Sequence, residues 1–203
     1  MYHHRTRRRF RLGVTRPVLR RFAPSRRAAA RAGALAALAL APLPAAAQEA
    51  RFARQRTAMV ERQIVAKGVR DDATLAAMRA VPRHAFVPEG LRDLAYADRA
   101  LPIGLGQTIS QPYIVAYMTE QIRPRPGMRV LEVGTGSGYQ AAVLAATGAT
   151  VYTIEIFREH ADSARVRLDR LGYDVSVRHG DGFEGWPDAA PFDAIVVTAA
   201  AGF

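Results

Sequence analysis

From residue 129 onward the chain alternates short apolar runs with amphipathic stretches. Val130-Leu131-Glu132-Val133 reads as a buried strand, Val151-Tyr152-Thr153-Ile154 as a second, Val175-Ser176-Val177 as a third and 194–197 as a fourth. Helical periodicity fills 139–146 and 159–171 between them. Strand and helix alternating at this spacing predict βαβ units and a parallel sheet. The first half has a different texture. Residues 51–67 set Phe52, Met59, Val60 and Ile64 among Arg, Gln and Glu, which predicts an amphipathic helix ended by Gly68. Asp71 or Asp72 is placed to cap a second helix carrying Leu75, Met78 and Val81, and Pro82 stops it. Pro88, Gly90, Pro102, Gly104 and Gly106 make 82–112 a segment of turns and short pieces.

Charge changes the picture only once it is located. The 203 residues carry 29 Lys and Arg against 18 Asp and Glu, a net +11. Residues 1–47 hold eleven of those arginines and no acid, so 48–203 carry equal numbers of each sign. A basic nucleic-acid-binding domain is thereby excluded. The leader has arginines from 5 to 31, an apolar stretch 32–41 and small residues Ala45-Ala46-Ala47 before Gln48, the parts of a secretory signal. Its apolar core is about half the roughly 20 residues a membrane span needs, so no stable span is expected. Ser25-Arg26-Arg27 fits a twin-arginine signal, and translation from near Met59 is the plain alternative. No cysteine is present, which excludes disulfides, thiolate metal sites and a cysteine nucleophile. Domains are expected at 1–47 (leader), 48–128 (helical segment and a polar loop) and 129–203 (α/β domain).

Between the first strand and its helix lies Glu132-Val133-Gly134-Thr135-Gly136-Ser137-Gly138-Tyr139. Glycines there allow a sharp turn, and the helix start offers free N–H groups. The dinucleotide pattern G-x-G-x-x-G would need glycine at 139, where Tyr139 stands. Glu132, two residues before the first glycine, opposes a pyrophosphate but suits a cation such as a sulfonium or ammonium group. Glu155, at the end of the second strand, stands where α/β nucleotide folds bind ribose hydroxyls. Asp181-Gly182 follows the third strand and is placed to bracket an adenine edge, or to form a plain turn. In order on successive strand ends, these residues describe a site for adenosine plus a cation, which S-adenosylmethionine fits best.

A second constellation precedes the sheet. Gly104-Leu105-Gly106-Gln107-Thr108-Ile109-Ser110-Gln111-Pro112-Tyr113 reads as a shaped polar loop. Ser110 is placed either in a site or as the cap of the helix beginning near Pro112. A serine nucleophile lacks its G-x-S-x-G elbow. Histidines 3, 4, 84, 160 and 179 show no metal spacing, and no metal is expected. His84 and His179 read as surface or satisfied polar contacts, Trp186 and Tyr139 as packing.

Residues 52–200 resemble the protein-L-isoaspartate O-methyltransferases. The resemblance rests on Met59-Val60-Glu61-Arg62-Gln63, on Val81-Pro82-Arg83-His84-Ala85-Phe86-Val87-Pro88 and on Gly106-Gln107-Thr108-Ile109-Ser110-Gln111-Pro112-Tyr113. It continues through the glycine turn, Gly180-Asp181-Gly182, Gly185-Trp186-Pro187 and Pro191-Phe192-Asp193-Ala194-Ile195-Val196-Val197-Thr198-Ala199-Ala200. It implies a doubly wound, mostly parallel, Rossmann-like α/β sheet and S-adenosylmethionine as methyl donor. The implied acceptor is the free α-carboxylate of isoaspartyl residues in damaged proteins, and a monomer in the cytoplasm is expected. It also implies Ser110 as the catalytic position. Gln107, Thr108, Ile109, Glu132, Gly134, Gly136, Gly138, Glu155, Asp181 and Gly182 are implied contacts to donor or acceptor. A sulfonium methyl is electrophilic and a carboxylate is ionised near neutral pH, so the chemistry needs no general base.

Two features depart from that pattern. The sequence reaches Gly202-Phe203 just after the fourth strand, where the family continues with three more, so the last strands are expected to be missing and the fourth to lie at an edge. The leader points to the periplasm, whereas the donor is made in the cytosol. Competing readings are a methyltransferase with a small-molecule acceptor, a nicotinamide oxidoreductase, and an inactive donor-binding fragment.

Overall fold

The computed structural model describes residues 45–199; the leader up to residue 44 and residues 200–203 lie outside them. Helix α1 (Ala45–Met59) begins before Gln48, with its first turn exposed. Its buried face carries Phe52 and Met59. It runs on as a π-helical turn (Val60–Ile64) and a 3₁₀ turn (Val65–Lys67), ending at Gly68 with φ +100°. The sequence reading gave one regular helix over 51–67. The structure interrupts that helix after Met59 with a wider turn, although Phe52, Met59 and Val60 are spaced i, i+7 and i+8 and would share one face of a regular helix. Helix α2 (Asp72–Ala80) is capped by Asp71, whose side chain accepts from Thr74 N–H at 2.7 Å, and Val81 closes it before Pro82.

The segment read as turns contains more order than that. Two 3₁₀ turns (Arg83–Phe86 and Glu89–Leu94) lead to an antiparallel hairpin of β1 (Leu101–Gly104) and β2 (Gln107–Ile109). Leu105 and Gly106, both at positive φ, turn it. Strands this short and interrupted by proline and glycine carry no visible alternation, which hides them from the pattern. Helix α3 (Pro112–Gln121) starts on proline, and its N-cap is Gln111, with no side-chain cap bond, so Ser110 does not cap it.

Four parallel strands follow: β3 (Arg129–Val133), β4 (Thr150–Glu155), β5 (Val175–His179) and β6 (Ala194–Val197), in the order β5-β4-β3-β6. Helices α4 (Tyr139–Ala146) and α5 (Arg158–Arg170) make the crossovers from β3 to β4 and from β4 to β5. Right-handed crossovers advancing in one direction set both on one face. There Val130, Val151 and Val196 share a core with Ala141, Leu144, Leu168 and the N-terminal helices. On the other face Trp186 and Phe192 pack edge-on against Tyr152, and Ile195 and Val197 of the edge strand β6 are exposed. This is the expected mostly parallel, Rossmann-like α/β arrangement, with both crossover helices on one face among the described residues. No helix among the described residues is long and apolar enough to cross a membrane.

The Asp71 cap supplies a simple check. Asp71→Ala should lower the unfolding free energy by about 1 kcal/mol, the usual value of a side-chain cap, as read by chemical denaturation. Asp71→Asn should recover most of it.

Candidate active site

The carboxyl ends of parallel strands in such a sheet open onto a crevice, and here the crevice is a cavity of about 700 Å³. Its floor is built around Glu132. The sheet register sets Glu132 between Thr153 of β4 and Val196 of β6, leaving its side chain without exposure to solvent. Thr153 Oγ1 donates to Oε2 at 2.6 Å, and Thr135 Oγ1 lies 2.7 Å from Thr153 Oγ1. Oε1 has no partner within the protein. Burial pushes the Glu132 carboxyl up to about 8, the nearby Glu155 charge adds to that, and the Thr153 hydroxyl opposes it. At neutral pH this group is therefore mostly protonated, held ready to ionise if a cation arrives.

Glu155 ends β4 and takes two backbone donors, Gly136 N–H at 2.7 Å and Phe157 N–H at 2.9 Å. Its carboxylate thus braces the glycine turn, while each oxygen keeps a lone pair for a further donor. Asp181 caps a short turn (Gly182–Glu184) by accepting from Phe183 N–H at 2.9 Å. The glycines act for different reasons. At Gly134 (φ +100°) a Cβ would fall 2.8 Å from both Ala199 Cβ and Thr198 Oγ1. At Gly182 it would fall 2.3 Å from Val133 Cγ1, so the bare backbone is demanded by the protein itself. The hairpin borders the same cavity and meets the glycine turn, where a Cβ on Gly136 would lie 3.3 Å from Ile103 Cδ1.

Gln107, Thr108, Ile109, Ser110, Glu132, Gly134, Gly136, Glu155, Asp181 and Gly182 all line this cavity. Gly138 is not among the lining residues: it caps α4 at φ +86°, packed against Leu168 and Ala164 of α5. The sequence reading missed Gln140, which lines the cavity, donates from Nε2 to Thr119 Oγ1 at 2.8 Å and leaves Oε1 buried without a partner. A lone amide in the otherwise apolar run after Tyr139 was its signal. Ile156, Phe157 and Phe183, also unforeseen, supply apolar walls. His84 is satisfied by Tyr96, with Nδ1 2.7 Å from the phenol oxygen, and stacks on Phe52; Tyr139 packs edge-on against Phe86.

A sequence model of the family described as protein-L-isoaspartate(D-aspartate) O-methyltransferase matches residues 54–202. The chain belongs to this family. Among its relatives, the protein-L-isoaspartate O-methyltransferase of Methylorubrum extorquens is 62% identical over 148 residues, covering 73% of this chain and 65% of the relative. That of Gloeobacter violaceus is 63% identical over 143 residues, 70% of each chain, and that of Opitutus terrae 56% over 173 residues, 85% of this chain and 74% of the relative. A solved protein-L-isoaspartate O-methyltransferase matches with a TM-score of 0.64 at 31% identity, over 72% of this chain and 47% of that one. A Plasmodium falciparum structure described as a family member in complex with S-adenosyl-L-homocysteine shares the fold, with a TM-score of 0.62 at 23% identity over 75% of each chain. The chain thus spans about two thirds to three quarters of these curated family members and about half of the first solved one.

The buried carboxyl makes stability depend on pH. Because the folded-state value of Glu132, about 8, exceeds its ordinary 4.5, the folded protein binds more protons than the unfolded chain between those limits. Its contribution therefore falls as pH rises from about 4.5 to about 8. In Glu132→Gln this component of the pH dependence should vanish, so that thermal midpoints of wild type and variant diverge progressively between pH 5 and 8.5 in the variant's favour.

Proposed function

We propose that this chain transfers a methyl group from S-adenosylmethionine to the free α-carboxylate of L-isoaspartyl residues in damaged proteins. The observation that carries this reading is a single cavity that joins two constellations far apart in sequence. Glu132 and the glycine turn form one wall, and Gln107, Thr108, Ile109 and Ser110 form the facing one. Family membership supports the same activity.

The residues present fit the donor. A buried carboxyl with a free Oε1 suits a cationic group, Gln140 Oε1 offers a second unused acceptor beside the same cavity, and Glu155 and Asp181 stand at the strand ends suited to ribose and base. The exposed rings of Phe157 and Phe183 and the side chain of Ile156 give flat apolar surface for a purine. When bound, S-adenosylmethionine supplies an electrophilic methyl group on its sulfonium. The chain's own task is positional. Ser110 Oγ hydrogen-bonds the acceptor carboxylate and aims one of its oxygens; Glu132 gives up its proton and faces positive charge; the apolar walls keep competing water away. The acceptor is ionised at neutral pH, so no side chain has to remove a proton from it. The cytoplasm, where the donor is made, is the compartment we assign to the reaction.

Paired peptides that differ only in an isoaspartyl or an aspartyl link test this reading with labelled S-adenosylmethionine. Label should enter the isoaspartyl peptide alone; equal labelling of both, or transfer only to small metabolites, would overturn it. Ser110→Ala should lose about tenfold to a hundredfold in turnover, the value of one hydrogen bond to a charged group, with donor binding retained. Full turnover in that variant would remove Ser110 from the role given to it.

A further inference from the structure

The motifs Met59-Val60-Glu61-Arg62-Gln63 and Val81-Pro82-Arg83-His84-Ala85-Phe86-Val87-Pro88 line no part of the cavity. Gln63, Arg83 and His84 of these motifs nonetheless converge on one place, the turn 94–99 that precedes the hairpin. Arg83 is fully buried, donates from Nε to Ala95 O at 2.7 Å, and reaches Arg99 O from Nη2 at 3.5 Å. Gln63 Nε2 donates to Tyr96 O at 3.0 Å. The turn is closed within itself by Ala97 N–H to Leu94 O and Arg99 N–H to Ala97 O. Arg83 also lies over the ring of Tyr139, which lines the cavity, with 4.9 Å from guanidinium to ring centre. A backbone held at the carbonyls of residues 95, 96 and 99 presents the Asp98 side chain in a fixed direction.

Asp98 meets the residue next to Ser110. Its Oδ1 accepts from Gln111 Nε2 at 2.8 Å, and its Oδ2 accepts from Lys67 Nζ. Lys67 comes from the far end of the α1 segment and also lies 4.9 Å from the ring centre of Tyr113. Burial alone would raise the Asp98 carboxyl, but the donors from Lys67 and Gln111, with the Tyr113 N–H nearby, outweigh it and hold it below its ordinary value. Helix α3 has no cap of its own, so Asp98 is a remote anchor for its N-terminus.

We infer that Asp98 is a positioning residue for methyl transfer: held by Arg83 and Gln63 below and by Lys67 beside it, it grips Gln111 and thereby fixes where Ser110 stands over the cavity. This rests on the role given to Ser110 above. It also gives a role to Gln63 and Arg83, which line no part of the cavity. Asp98 acts through Gln111 and meets no reacting atom.

The test pairs a measurement that needs no turnover with one that does, on the full chain. By hydrogen exchange, Asp98→Ala should speed the amides of 107–113 by about tenfold while β3 and β4 keep their protection, a local opening and not a global one. Gln111→Ala should do the same, and the double variant should be no worse than either single one. Asp98→Asn, which still offers Gln111 an acceptor, should stay nearer wild type. Asp93→Ala, which removes a surface pair with Arg51, is the control and should change nothing. In the peptide assay Asp98→Ala should lose about tenfold or more in kcat with donor binding little altered, since displacement of a reacting group by ~1 Å can cost about a hundredfold. Unchanged exchange at 107–113, or faster exchange spread equally through the sheet, would overturn the inference, as would unchanged kcat. If the wild-type chain moves no methyl group at all, the proposed function fails and the exchange experiment alone decides whether the bracket exists.

Discussion

A carboxyl group sealed into the centre of a parallel sheet is the constraint around which this protein is arranged. Glu132 reaches its position through register alone, flanked by Thr153 and Val196 with no solvent on any side. One hydroxyl holds one of its oxygens, and the other has nothing. Burying a half-satisfied acid is unfavourable, and proteins answer such a situation by shifting its protonation state. Burial thereby favours the uncharged form of this carboxyl, with Oε1 left without a partner in the protein.

The rest of the architecture keeps that strand end open and shaped. The chain must leave β3 sharply, and it does so through Gly134, where Thr198 and Ala199 leave no room for a side chain; after β5, Gly182 is required in the same way by Val133. Thr198 strengthens this closure by donating from Oγ1 to Val133 O at 3.0 Å and from its N–H to the same carbonyl at 2.9 Å. Glu155 stitches the turn from the other side through Gly136. The N-terminal helices then carry the opposite wall. They share one core with α3 and α4, to which they give Phe52, Met59 and Met78, and they carry the hairpin that leads into Ser110. The two sets of residues that line the cavity thus come from separate parts of the chain and meet because both are anchored to one core.

Much of this was legible in the sequence. The four strands and the helices between them announced themselves because Val130, Val151, Val175 and Ile195 sit in runs bounded by glycine or charge. Glu132, Glu155 and Asp181 could be found because each stands at the carboxyl end of such a run, where this topology places ligands. The hairpin could not be read, since Pro102, Gly104 and Gly106 erase the alternation that marks a strand. The π turn after Met59 leaves the spacing of Phe52, Met59 and Val60 that of a regular helix and so gives no signal, and Gly138, grouped with the other turn glycines, is packed against α5. Gln140 and the bracket around Asp98 depend on which groups meet across 12 to 33 positions of chain, information that periodicity does not hold.

Proton exchange with solvent on ligand binding tests the central claim most directly. Calorimetric titration with S-adenosylmethionine at pH 7, repeated in buffers of different ionisation enthalpy, counts protons taken up or released. A Glu132 carboxyl held near 8 in the free protein and ionised opposite a bound cation predicts release approaching one proton in the wild type, and almost none in Glu132→Gln. Equal proton balance in the two proteins would contradict a protonated Glu132 that ionises to receive the ligand.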